Sequence, residues 1–254
     1  MPKRLVRRSL KTRPSPSPSL QQRRIAGVDT STPVFVSKVC AVPVSQFHWE
    51  REFWRAGYEI VAGVDEVGRG ALAGPLVAAA VVFERSTIER RSKRERIERS
   101  VRDSKLMTRD SWEEALVVIH DCATHVAIGM VECYELDALG MTAANRLAME
   151  RAVFGISEEP EAIMLDAFVT DLPMPQVGLI DGDALCLSIA AASIVAKVTR
   201  DRLMIALHEV DCRYGFDQHV GYGTSSHLGA LREHGPAEFH RRSFRPVQEC
   251  LNRG

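Results

Sequence analysis

The stretch Gly63-Val64-Asp65-Glu66-Val67-Gly68-Arg69-Gly70-Ala71-Leu72-Ala73-Gly74-Pro75 restricts this chain more than any other. Two adjacent carboxylates close an apolar run, glycines follow, and a second apolar run begins at Pro75. Side chains along a strand alternate between faces, so Asp65 and Glu66 should point apart unless the strand breaks. Gly68 is expected to supply that break and let both acids reach one concavity. Glycines around Arg69 expose backbone N–H groups and permit close approach of another backbone. The spacing is not that of a dinucleotide loop, since a strand follows and no helix does. A tight turn carrying surface acids is the plain structural alternative.

Beyond this segment, short β-branched runs alternate with helical patterns, as in an α/β sheet covered by helices. Strands are expected at 60–66, 75–83, 125–131, 162–166 and 176–180. Helices are expected at 109–123, capped by Thr108, at 142–154, and at 187–210 in an alanine-rich run. Two shorter ones should follow between 225 and 251, separated near Gly235-Pro236. The charged stretch 84–102 reads as a solvated helix or loop.

The 254 residues hold Lys+Arg 33 and Asp+Glu 33, but the balance is uneven. Eight basic residues and no acid precede Asp29, so the remainder has 25 basic residues against 33 acidic ones, about −8. Binding of a polyanion must then depend on local basic groups or on cations, not on bulk charge. Residues 1–45, with Pro14-Ser15-Pro16-Ser17-Pro18, read as a disordered basic tail. A transit peptide or a start codon placed too early would also fit. Residues 46–210 are expected to form the catalytic domain, with 211–254 as a helical extension packed on it. Six cysteines without CxxC spacing argue against a zinc ribbon or disulfide framework and suit a reducing, cytoplasmic setting. No apolar run approaches the 18 residues of a membrane span.

Two further acids sit at strand ends: Asp166 after Ile163-Met164-Leu165, and Asp183 just before the long helix, with Asp181 beside it. Alone, either would be a helix cap or turn residue. Four carboxylates gathered on one sheet would repel and raise one another's pKa unless cations neutralise them. Mg²⁺ or Mn²⁺, which favour oxygen donors, would do so, and two such ions suit phosphodiester hydrolysis.

Five segments in one order then carry a specific resemblance: DEVGRGALAGP, DSK at 103–105, SIAAASIVAKVTRD at 188–201, HVGYGT at 219–224 and HGPAEFHRRSF at 234–244. Over roughly 57–247 the chain resembles the type 2 ribonuclease H family, ribonuclease HII. The resemblance implies an RNase H-like mixed five-stranded sheet flanked by helices, with a C-terminal helical extension. It implies a monomeric endonuclease that cuts RNA in RNA·DNA hybrids and cuts 5′ of single ribonucleotides in duplex DNA, leaving 3′-OH and 5′-phosphate. The metal-holding catalytic acids fall on Asp65, Glu66, Asp166 and Asp183, served by two Mg²⁺ or Mn²⁺ ions. Gly68, Arg69 and Gly70 fall on the motif that contacts the ribose 2′-OH, and Tyr222 on the tyrosine that tests the sugar beyond it. Lys105, Ser193 and Lys197 are expected at phosphates or in support.

Plainer readings stand beside these. Lys197, Arg200 and Asp201 could be a helix-surface ion network, and Arg241, Arg242 and Arg245 either a duplex contact or a solvated face. His219 and His240 read as structural. Three residues depart from the family pattern: Ala167 for a glycine, Asp181 for a lysine and Val220 for a lysine. They predict weaker substrate binding or a stronger metal requirement. Loss of activity with retained hybrid binding, and a ribonuclease HIII-like preference, are the competing functions.

Overall fold

The computed structural model describes residues 35–37, 47–101 and 107–252. A sheet runs through the molecule in the order β1-β6-β5-β2-β3-β4. Its strands are β1 (Phe35–Ser37), β2 (Val61–Val67), β3 (Leu76–Val82), β4 (His125–Val131), β5 (Ala162–Asp166) and β6 (Gln176–Leu179). β2, β3 and β4 form an antiparallel meander, while β5, β6 and β1 continue parallel to β2. The five expected strands are all present. β1 is an addition inside the span expected to be a tail, so the sheet reaches past the expected boundary at residue 46.

Period-two burial sorts the strand residues between two cores. Leu76, Ala78, Ala80 and Val82 of β3 face a core completed by α6 (Met141–Phe154). Val77, Ala79 and Val81 face the core shared with α1 (His48–Arg55), α4 (Arg109–Cys122) and α8 (Leu187–Val210). Both faces of β3 are buried, and its run is continuously apolar for that reason. Thr108 caps α4 as expected, accepting from the Ser111 N–H. The charged stretch folds as α2 (Arg85–Glu89) and α3 (Arg91–Val101), which bury Ile88, Ile97 and Val101, so it is amphipathic and packed, not merely solvated.

Helix α8 lies directly on β2. A Cβ on Gly63 would overlap the Ser188 backbone, and only glycine lets the helix come this close. Glu50 of α1 helps hold the same end: its buried Oε1 accepts from the Ser188 N–H at 3.0 Å and hydroxyl at 2.7 Å. A carboxylate there meets the unsatisfied amides at the start of a 24-residue helix.

α5 (Cys133–Leu139) and α7 (Gly182–Leu185) frame the sheet ends. α9 (Phe216–His219), α10 (Ser225–His234) and α11 (Arg245–Leu251) form the helical extension. They close a third core, with Leu72, Ala73 and Met204 packed against Tyr214, Phe216, Leu231 and Val247. The glycine-rich loop after β2 therefore sits between the sheet and the extension.

Candidate active site

The carboxylates gather where the parallel strands end. β2 and β5 pair in register from Val61↔Ala162 to Val64↔Leu165, which brings Asp65 alongside Asp166 at the next step. Ligand sites of open α/β sheets lie at such carboxyl ends. The strand runs on to Val67, so the expected break after Glu66 comes later. Asp65 turns toward α8, where Ser193 hydrogen-bonds it. Glu66 turns the other way, toward Asn145 of α6, yet both acids remain within electrostatic reach of Asp166. Asp166 Oδ1 accepts the Gly182 N–H at 2.7 Å, and a Cβ on Gly182 would crowd that oxygen. Asp183, one residue on, lines a cavity of about 200 Å³ with Glu66, Trp112, Ser193, Ile194 and Lys197. Asp181 lies outside that cavity, exposed at the start of α7.

Charge is under strain here. Burial, then Glu66 and Asp166, hold the Asp65 carboxyl well above its ordinary range, with Ser193 opposing. Burial raises Glu66 from 4.5 to about 7 against the pull of Arg69, whose Nη1 stands 3.6 Å from Oε1. Glu66 Oε2 is buried without a hydrogen-bond partner. Among the described residues no group of three or more Asp, Glu, His or Cys side chains stands close enough together to hold a metal ion. Asp65 and Glu66 each couple to Asp166 through charge, and Asp183 shares a cavity wall with Glu66. Hard oxygen donors, mutual repulsion and an orphaned carboxylate oxygen suit divalent cations.

The residues expected to sense the sugar also come together. Ala71 forms an antiparallel bridge with Tyr222, and the Leu72 N–H donates to the Gly221 carbonyl at 2.8 Å. A Cβ on Gly70 would lie 4.0 Å from the Tyr222 ring. Arg69 is exposed, with its guanidinium 4.4 Å from the centre of the Phe168 ring. Lys197 pairs with Asp201 at 2.8 Å and lies 5.1 Å from the Trp112 ring centre. Lys105 lies outside the described residues.

Two expectations need correction. Arg200 and Arg241 are fully buried, so neither belongs to a surface network or a solvated face, and Arg241 cannot lie against a duplex. Arg200 donates to the carbonyls of Ala73, Pro75 and Val220 at 2.9, 3.0 and 2.8 Å. A Cβ on Gly68 would overlap its Nε. Arginine is so often exposed that a lone sequence gives little sign of this. Trp112 and Asn145, read only as helix residues, also reach the site. His219, His227 and His240 are buried behind the Tyr222 loop. His219 Nδ1 accepts the Gly221 N–H, and His227 Nδ1 lies 3.0 Å from the Tyr222 carbonyl.

The departures from the family pattern share a conformation. Ala167, Asp181 and Val220 are the described non-glycine residues with positive φ, at 53°, 56° and 44°. Aspartate tolerates this region; a β-branched valine does not.

A mixed sheet of this order, with acids at its parallel strand ends beside a glycine-rich loop, places the molecule among nucleases of the RNase H-like fold. A family model described as Ribonuclease HII matches residues 62–247. A ribonuclease HII of Geobacillus thermodenitrificans is 45% identical over 206 residues, covering 80% of this chain and 75% of the relative. One of Paraburkholderia xenovorans is 47% identical over 193 residues, covering 76% and 75%. The crystal structure of ribonuclease H2 from Pyrococcus horikoshii aligns with a TM-score of 0.64 and 25% identity, covering 76% of this chain and 98% of that one. The chain belongs to the ribonuclease HII family, and its activity is that of a ribonuclease H, a hydrolase of phosphodiesters. No helix among the described residues is long and apolar enough to cross a membrane.

Proposed function

We propose that this protein is a monomeric, cytoplasmic endonuclease. It cuts RNA in RNA·DNA hybrids and cuts 5′ of single ribonucleotides embedded in duplex DNA, leaving 3′-OH and 5′-phosphate ends. The observation that carries this reading is the bridge between Ala71 and Tyr222, which sets Gly68–Gly70 and the tyrosine ring together beside Asp65 and Glu66. A site that reads one sugar needs backbone donors for its 2′-OH and a flat surface for the next sugar.

Asp65, Glu66, Asp166 and Asp183 would hold two Mg²⁺ or Mn²⁺ ions. Bound there, the ions would lower the pKa of the attacking water and neutralise charge on the departing 3′-oxygen. Ser193 keeps Asp65 oriented, and the Gly182 amide keeps Asp166 oriented. Arg69 offers a cation beside Glu66, and Lys197 and Lys105 are positive groups for neighbouring phosphates. With lysine absent at 181 and 220, fewer phosphate contacts remain, which lowers affinity and the salt dependence of binding.

The test is cleavage of a duplex carrying one ribonucleotide, alongside a uniform hybrid, across a Mg²⁺ and Mn²⁺ series. Cutting 5′ of the ribonucleotide is expected. An Asp65→Asn, Asp166→Asn double variant should lose divalent-dependent cleavage; full retention would overturn the assignment. Binding without cleavage would favour a non-catalytic role, and cleavage of the uniform hybrid alone would favour a ribonuclease HIII-like one.

A further inference from the structure

We propose that Arg241 is a positioning residue: from inside the protein it turns the peptides of the glycine-rich loop so that the Arg69 and Gly70 N–H groups face the substrate. This deepens, and rests on, the function proposed above.

The geometry begins with a buried cation that has no carboxylate partner among the described residues. Arg241 is fully buried, and the hydrogen bonds of its guanidinium go to backbone carbonyls. Its Nη1 donates to Gly68 at 2.6 Å and to Arg69 at 3.2 Å. Its Nε and Nη2 both donate to Gly74, at 3.0 and 2.9 Å. Burial and the nearby Arg200 charge lower its pKa to about 10, so it stays charged at neutral pH. Burying an arginine is costly unless its donors are met, and here the oxygens come from the loop that should recognise the sugar.

In a trans peptide the C=O and N–H point in opposite directions, and every described peptide bond is trans. Once Arg241 draws the Gly68 carbonyl inward, the Arg69 N–H must face outward. Drawing in the Arg69 carbonyl likewise turns the Gly70 N–H outward. Neither amide appears among the backbone hydrogen bonds that hold the loop, whereas Ala71 donates to Gly68 and Leu72 to Gly221. Arg69 and Gly70 are exposed. Two successive outward amides form a concavity suited to an oxygen acceptor, such as a ribose hydroxyl or the adjoining phosphate.

The fork is what the task requires. A guanidinium spans three carbonyls in a plane, whereas a lysine ammonium is a point donor on a flexible stem. Arg200 does the companion work on Ala73 and Pro75, and through Val220 it ties the loop to Tyr222, whose ring lies 5.5 Å away. Two fixed positive charges beneath the loop also favour an anionic ligand above it.

The experiment measures binding by fluorescence anisotropy, with EDTA present so that nothing is cut. Two duplexes of one sequence are compared, one all-DNA and one carrying a single ribonucleotide. The wild type should prefer the ribonucleotide duplex. Arg241→Lys, which keeps the charge, should shrink that preference at least fivefold and leave all-DNA affinity within about twofold. An unchanged preference, or an equal loss for both duplexes, would overturn the inference. No preference in the wild type would instead overturn the proposed function. Amide exchange on the wild type gives a reading that needs no variant. Arg69 and Gly70 should exchange freely in the isolated protein and become protected on the ribonucleotide duplex. Protection already present in the isolated protein would refute the outward orientation.

Discussion

Replacing Glu66 with glutamine should make the cation-free protein more stable, by an amount that depends on pH. The Glu66 carboxyl is raised from 4.5 to about 7, first by burial and then by Asp166, with Arg69 opposing. A displacement of that size corresponds to roughly 3 kcal/mol of preference for the protonated form. Because the folded pKa exceeds the unfolded one, the group contributes most below about pH 4.5. That contribution is lost as pH rises through about 7. Glutamine carries no such charge, so Glu66→Gln should gain stability above pH 7 and gain little at pH 5. It forfeits the contact with Arg69, whose side chain is 44% exposed, so we discount the gain to about 1–3 kcal/mol. For a chain of this size that is roughly 3–9 °C in Tm. Thermal unfolding in EDTA at pH 5, 6, 7 and 8 measures the gap between variant and wild type. A variant no more stable than wild type at pH 8, or equally stabilised at pH 5, would refute the electrostatic account. Divalent cations should narrow the gap by stabilising only the carboxylate form.

Val220→Gly should stabilise the protein by about 0.5–1 kcal/mol, because relief of a left-handed valine exceeds the added backbone entropy; urea denaturation checks it. Gly63→Ala should cost more than about 2 kcal/mol in the same assay, since the added methyl overlaps the Ser188 backbone and α8 must shift. Activity should fall with it, because Ser193 of α8 orients Asp65.

The conformation of the left-handed residues shows how departures from a family pattern become readable once coordinates exist. Ala167 stands where glycine is usual and sits at φ 53°, so the missing residue was a backbone requirement. Asp181 brings its charge to an exposed left-handed position outside the cavity, and its near neighbour Asp183 lines that cavity together with Glu66.

What the sequence determined by itself is local and periodic. The unbroken apolar run along 76–82, the Thr108 cap, the alanine face of 187–210 and the acids at strand ends are written in neighbouring residues, and the elements formed where those patterns lie. The ordered motifs identified the family and pointed to its acids. Folding alone decided which distant groups share a volume. Asp65 and Asp166 are separated by about a hundred residues, and only strand pairing sets them side by side. Arg200 and Arg241 look like surface arginines in the chain, yet both are buried because the C-terminal extension closes over the loop and its carbonyls satisfy their donors. Burial and hydrogen-bond partnership are properties of the assembled backbone, and no short window of sequence contains them.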